Sequence, residues 1–544
     1  MKKLKILAAA AASLPLLLQA APPPDSSAAL EQRLAARLAG DRTGACVVAA
    51  VIDKGQVLRA RSCAGTRSDP APAMDAAFEI GSVTKTMTAF LVADLIARGQ
   101  WSLDDPIAKH LPAGTSVPRQ GERQILVRDL LTHSAGLPGL PPGMQIADPS
   151  SPYAALTEAQ VLAALGEVTL TRPIGSQSEY SNFGMMLVSL AVARSNGGDF
   201  EAALRDKLFK PLAMESAFIA KPLAAGPARG HLPSGKPTAA WTITSNLAGV
   251  GMVKATLSDM ERFALAELGE GPAPLVARMH QTQQPLAHGF AMNWMHRKIQ
   301  GRDLLMHEGG TGGFSSLVAL DPAAHRAVVL LSDTSLADLG GLGDIGLSLL
   351  GLKVPVQPPR LAIATPAALL KAMAGDYRLA GLPTRIWAQD GKLMFQAQGQ
   401  GAFELLHDSR GAFYPAEFSA LLVPVPAAEG QPVERFSWRQ GGGMVEAERI
   451  GLASAVPSIS NPAWRDWAGE FQIVPQFSLK VFEREGRLMV QGTGQPAIAA
   501  DVAGADRIEI KAVGAVVEFE RDVSGKVAAA VLKQGGQVLR GAKK

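Results

Sequence analysis

The chain has 544 residues, 47% hydrophobic and 19% charged, enough apolar material for several packed cores and too much for a disordered polypeptide. Its 53 Lys and Arg stand against 49 Asp and Glu, and Lys2, Lys3 and Lys5 at the extreme N-terminus account for most of the +4 excess. The remainder is close to neutral, which excludes the basic stripe of a nucleic-acid binder, and two cysteines exclude a disulfide-rich scaffold or a multi-cysteine metal site.

Residues 1–21 run from a Lys-rich start through the apolar stretch 6–18 to Leu18-Gln19-Ala20, the three-part pattern of a cleavable secretory signal. At about 13 apolar residues this stretch is too short to span a bilayer, and no later segment offers the roughly 18 required. The expectation is a periplasmic or secreted protein without a membrane span, an uncleaved anchor being the alternative. Strand-like runs at 47–52 and 57–61 then flank Asp53-Lys54-Gly55-Gln56, a tight turn with glycine in place. If Asp53 faces Gln56, Cys46 faces Cys63 on a rung where cross-strand side chains approach most closely. An oxidising compartment would let that pair form a disulfide. Two free buried thiols are the other reading.

Phe78-Glu79-Ile80-Gly81-Ser82-Val83-Thr84-Lys85 ends a strand-like segment and opens a helix, in which Met87, Phe90, Leu91 and Ile96 mark one apolar face. Ser82 and Lys85, three apart, share a helical face. A hydroxyl needs a neighbour to take its proton before it attacks, and a desolvated lysine can be neutral enough to serve. A single S-x-x-K is weak evidence, since about one should occur by accident in a chain this long. Tyr180-Ser181-Asn182 precedes an apolar helix ending at Asn196-Gly197-Gly198. A tyrosine beside a lysine can relay a proton, and an asparagine can hold a substrate amide through a donor and an acceptor. His307-Glu308-Gly309-Gly310 lies just before the buried strand 317–320. Its glycines admit a close backbone approach, a strand-edge N–H can complete an oxyanion hole, and His307 could orient or stabilise charge there. No metal-binding motif and no cofactor motif is present.

After residue 352 the Pro-rich stretch 353–366 reads as a linker. Beyond it Met373-Ala374-Gly375-Asp376-Tyr377 returns as Trp467-Ala468-Gly469-Glu470-Phe471, and Asp390-Gly391-Lys392-Leu393 returns as Glu485-Gly486-Arg487-Leu488. The preserved spacing and the alternating apolar pattern predict two tandem antiparallel β-barrels, 367–455 and 462–544, following a domain of residues 22–352.

In this order, Ser82-x-x-Lys85, Tyr180-x-Asn182 and His307-x-Gly309 resemble the penicillin-recognising serine hydrolases: class C β-lactamases, D,D-carboxypeptidases, D-aminopeptidases and related esterases. Stretches 103–106, 130–138, 210–214 and 258–263 are similar to family segments, so the resemblance covers about residues 30–350. It implies a β-lactamase-like α/β sandwich, an antiparallel sheet with flanking helices plus a helical region, and an acyl-enzyme mechanism without a cofactor. It also implies roles: Ser82 as nucleophile, Lys85 as base, Tyr180 as proton shuttle, and Asn182, Gly309 and Gly310 as substrate contacts. The oxyanion hole would be the N–H groups of Ser82 and Gly310. His307 stands where β-lactamases have lysine, which leans towards the peptidase and esterase branches. The two C-terminal repeats resemble the barrels of bacterial D-aminopeptidases. Ala213 replaces a common glycine, and Ile174 is an extra residue between Pro173 and Gly175. The resulting expectation is an exported serine hydrolase of short peptides, D-amino-acid-containing ones included. An esterase or β-lactamase of the same fold, or a penicillin-binding sensor that does not turn over, are the alternatives. The partner is then a small peptide, amide or ester, with no nucleic acid; oligomeric state is not legible.

Overall fold

The computed structural model describes residues 23–543 except 68, 145, 147, 149, 221–225, 380, 399–400, 427–429, 442, 452–461, 475–476, 485–486, 493–496, 523–524 and 535–536. The secretory-signal reading of residues 1–21 therefore lies outside the described residues. The chain divides into two compact units, one reaching residue 373 and including 378–448, the other formed by 374–377 and 449–544.

The first unit is built on six antiparallel strands: β1 (Cys46–Asp53), β2 (Gln56–Cys63), β3 (Met295–Ile299), β4 (Arg302–Gly310), β5 (Ser315–Asp321) and β6 (Arg326–Ser332). Their order is β2-β1-β6-β5-β4-β3, so β1 pairing with β6 brings the two sequence ends of the domain together in mid-sheet. β1 reads as a continuous apolar run because both of its faces are covered. Val47, Ala49 and Val51 face a core completed by Leu30, Leu34 and Leu38 of α1 (Ser27–Leu38). Val48, Ala50 and Ile52 face a larger core that includes residues of α2 (Thr84–Ala97), α3 (Asn182–Ser195) and α4 (Leu257–Glu267). The β1–β2 turn places Lys54 and Gly55 at φ of 51° and 81°, the conformation a two-residue hairpin loop requires. That turn sets Asp53 opposite Gln56 and Cys46 opposite Cys63, and the two cysteines are joined by a disulfide.

α2 differs from the one-faced helix its Met87, Phe90, Leu91 and Ile96 suggest. Every residue from Thr84 to Leu95 is buried. A helix covered all round belongs at the centre of a domain, and its polar residues must then bond inside it. Thr86 Oγ1 donates to the Val83 carbonyl at 2.8 Å and Thr88 Oγ1 to the Gly249 carbonyl at 2.8 Å. The nucleophile candidate therefore opens the most enclosed helix of the domain.

Beyond the domain, Val354 and Val356 pack against the α1-side core, and the Gln357 N–H donates to Asp344. Two antiparallel β-barrels follow. In the first, pairing of Phe403–Asp408 with Phe413–Pro415 closes the ring. The second is a nine-stranded sheet whose end strands, Ile498–Ala499 and Asp501–Gly504, leave it nearly closed. The hairpin Leu382–Gln389 with Lys392–Ala397 recurs as Phe477–Arg484 with Arg487–Gly492, at the repeated sequence stretches. Among the described residues, no helix is long and apolar enough to cross a membrane.

Candidate active site

The short strand Phe78–Glu79 pairs with Lys254–Ala255, and the Ile80 N–H donates to the Val253 carbonyl. The chain then turns through the 3₁₀ segment Gly81–Val83 directly into α2. Gly81 sits at φ +50°, and a Cβ there would lie 2.5 Å from the Gly310 nitrogen. Only a glycine lets the Ser82 turn and the end of β4 come this close, so two stretches more than 200 residues apart share one small space.

Lys85, one turn after Ser82, is 0% exposed. Its Nζ lies 2.9 Å from Ser82 Oγ, 2.9 Å from Asn182 Oδ1 and 2.6 Å from the Val250 carbonyl oxygen. No carboxylate offsets its burial, and desolvation holds its pKa well below the usual lysine range. Burial is what favours the neutral amine. In that form Asn182 Oδ1 and the Val250 carbonyl, which can only accept, take its two N–H bonds, and its lone pair is left for the Ser82 hydroxyl.

Asn182 opens α3, whose first turn is capped by Ser181: its Oγ accepts from the Gly184 N–H at 2.9 Å and donates to the Pro138 carbonyl at 2.6 Å. The cap fixes the chain direction at Tyr180-Ser181-Asn182. Oδ1 of Asn182 accepts from Lys85. Nδ2 donates to the Tyr153 hydroxyl at 3.4 Å. Tyr180 lies with its ring 4.9 Å from Lys85 Nζ and its hydroxyl on the Ser82 side of the cluster. Burial pushes its pKa above the ordinary tyrosine value, so it is present as the neutral phenol.

His307 is 2% exposed on β4, its ring 6.5 Å from that of Tyr180. Its Nδ1 is 2.7 Å from the Glu308 carbonyl oxygen, which can only accept, so Nδ1 carries the proton and Nε2 presents a lone pair. Burial, with Lys85 nearby, pushes its pKa down to about 3. In that form His307 is a neutral ring with Nε2 as acceptor. β3 pairs with β4 only as far as Met306, leaving 307–310 without a strand partner on that edge. Gly309 and Gly310 follow, and a Cβ on Gly309 would lie 2.0 Å from the Ile80 carbonyl oxygen.

The structure therefore gathers Ser82, Lys85, Tyr180, Asn182, His307, Gly309 and Gly310 into one cluster, and leaves the Cys46–Cys63 pair on the other side of the sheet order, at β1–β2. Sequence reasoning missed three contributors. The Val250 carbonyl has no side-chain signature. Tyr153 touches Asn182 and packs edge-on against Trp241 at 5.5 Å, and Trp241 in turn lies against Gly312. Tyrosine's rarity was the available signal, since two of the chain's four stand here. His133 lies directly behind Tyr180 with ring centroids 4.5 Å apart and its Nδ1 accepting from the Ser181 N–H. Ala213 adopts φ +53°, the left-handed conformation that favours glycine.

The Beta-lactamase family profile matches residues 30–343. The chain is 25% identical over 343 residues to the D-alanyl-D-alanine-carboxypeptidase/endopeptidase AmpH of Escherichia coli K12, covering 58% of this chain and 88% of that one. It is 27% identical over 316 residues to penicillin-binding protein 4 of Amycolatopsis lactamdurans, covering 54% and 81%. Among solved structures, the D-alanine carboxypeptidase AmpC from Burkholderia cenocepacia shares the fold with a TM-score of 0.50 and 21% identity, over 60% of this chain and 99% of that one.

Proposed function

The chain belongs to the beta-lactamase family, and from that premise we propose that it forms an acyl-enzyme on Ser82 and hydrolyses short peptides or their amides, D-amino-acid-containing ones included. The observation that carries this reading is the fully buried Lys85 Nζ 2.9 Å from Ser82 Oγ, with Asn182 Oδ1 and the Val250 carbonyl as its other two neighbours. Lys85 takes the Ser82 proton as Oγ attacks the carbonyl carbon. The negative oxygen that develops is received by the N–H groups of Ser82 and Gly310, which the Gly81–Gly310 approach brings together. The neutral Tyr180 phenol, its ring 4.9 Å from Lys85 Nζ, passes the proton on to the departing nitrogen. Water then attacks the ester and the same groups run in reverse.

His307 bears on substrate choice. A neutral acceptor in the third motif offers no cation to a substrate carboxylate, so the site suits substrates that present an uncharged or hydrogen-bond-donating group there. That supports peptide amides and amino-terminal substrates, and small esters as a second class, over dedicated β-lactam hydrolysis. AmpH, named for D-alanyl-D-alanine peptides, supports a peptide with D-residues. The proposed setting is the cell envelope, reached by way of residues 1–21.

The test is to screen the purified protein against D- and L-amino-acid amides, p-nitrophenyl esters, nitrocefin and a fluorescent penicillin. Amide turnover and chaseable penicillin label, both lost in Ser82→Ala, are expected. Persistent label without turnover would identify a sensor, and full activity in Ser82→Ala would end the assignment.

A further inference from the structure

We infer that the first barrel is a positioning element for the strand carrying the third motif, acting through Ser419 and Asp338; this rests on the acyl-enzyme reading above. Residues 309–314 are held between two segments. On one side is the hairpin Gly230–His231 with Pro237–Thr238: the His231 N–H donates to the Gly313 carbonyl at 3.1 Å, and a Cβ on Gly313 would lie 2.7 Å from Thr238 Cγ2. On the other is the turn Ala337–Leu339 with its lead-in: Ser335 Oγ donates to the Thr311 carbonyl at 2.8 Å, and a Cβ on Gly310 would lie 2.7 Å from Ala337 Cβ. At these spacings neither segment shifts without carrying the strand along.

One stretch of the first barrel grips both segments. The Ala416 carbonyl accepts from the Ser234 N–H at 2.9 Å, and Glu417 pairs with Lys236 at 2.9 Å. Three residues on, Ser419 Oγ accepts from the Asp338 N–H at 3.0 Å, while the Gly441 N–H donates to Asp338 Oδ2 at 3.1 Å. Leu339 is buried in an apolar cluster with Tyr414 and Leu421. The barrel thus bonds main-chain groups of both flanks of the Gly310 segment, whose N–H must stay aligned with Ser82. Its contribution is to keep 309–314 stiff, and neither Ser419 nor Asp338 needs to touch substrate.

Ser419→Ala removes one acceptor and Asp338→Ala the other. In the full chain the double variant should slow acylation by a p-nitrophenyl ester about tenfold, with KM changed less than about twofold. Amide hydrogen exchange across 309–314 should accelerate by a similar factor. The double variant Ser419→Thr with Asp338→Asn keeps an oxygen at both places and should restore both readouts to within about twofold. Unchanged exchange and acylation in the alanine double variant overturn the inference, even if its melting temperature falls. Loss that the Thr and Asn replacements fail to rescue overturns it too. If the parent protein accepts no acyl donor, the acyl-enzyme reading falls, and the exchange measurement still decides whether the barrel stiffens the strand.

Discussion

Gly309→Ala isolates the approach on which the site depends. A Cβ there would lie 2.0 Å from the Ile80 carbonyl oxygen and 2.3 Å from Ser316 Oγ, and it would intrude on the 2.7 Å bond that Ser316 donates to that carbonyl. Side-chain carbons essentially never sit within 3.0 Å of such atoms, so β4 and the Ser82 turn must separate by about 1 Å. Ile80 is two residues before Ser82, and Gly310 is the next residue of β4, so the displacement falls on the two N–H groups assigned to the oxyanion. A misplacement of about 1 Å costs on the order of 100-fold in rate, equivalent to roughly 3 kcal/mol of barrier. The assay is kcat/KM on a p-nitrophenyl ester with a melting curve on the same preparation. Gly301→Ala supplies the control. Gly301 has positive φ, at +78°, and nothing lies within 4 Å of its would-be Cβ, so its substitution should lower stability through backbone strain while leaving acylation at the parent rate. A folded Gly309→Ala protein that acylates within about threefold of the parent would refute the reasoning, because it would mean the close approach is packing and not catalytic geometry.

Other outcomes follow from the burial of single groups. Lys85 must be unprotonated to accept the Ser82 proton, and its pKa is depressed, so acylation should reach its plateau well before the pH at which an ordinary lysine deprotonates and fall only on the acid side. A rate that climbs tenfold per pH unit up to pH 10 would show an ordinary lysine instead. Glu267 of α4 is fully buried, with Oε2 accepting from Gln283 Nε2 at 2.6 Å, and burial pushes its pKa up to about 8. A raised pKa means the folded state holds the proton more tightly; the associated stability is complete below about pH 4.5 and is lost as pH rises through 8. Glu267→Gln should therefore gain stability over the parent at pH 9 relative to pH 4, with a ceiling on the order of 4 kcal/mol, checked by denaturant melts at both pH values. An equal difference at the two pH values would rule this out. Cys46 and Cys63 close a loop with a sequence separation of 17, so reduction should cost about 3 kcal/mol of unfolding free energy. A melting curve indifferent to dithiothreitol would count against that.

What could be read from the chain divides by the range of the interaction involved. The Cys46–Cys63 pairing was accessible because a two-residue turn at Lys54-Gly55 leaves one register, and counting outward needs no tertiary knowledge. Ser82 and Lys85 were accessible for a similar reason, three residues on one helix always being neighbours. The all-round burial of α2 was not, since the chain shows only where the apolar residues lie, and three threonines look like a solvent face until Thr86 and Thr88 are seen donating to the Val83, Thr84 and Gly249 carbonyls and Thr84 Oγ1 accepting from the Val253 N–H. His307 illustrates a deeper limit. The residue type announces two ring nitrogens, but which of them carries the proton is set by the carbonyl of the very next residue, and the ring's neutrality by the loss of water around it. Lys85 likewise owes its depressed pKa to burial, which depends on everything packed over it. Chemistry-bearing side chains can thus be located by spacing and order, while their protonation states follow from how completely distant segments exclude water. For this site that distinction matters, because the proposed reaction needs a neutral Lys85, and the substrate preference needs a neutral His307.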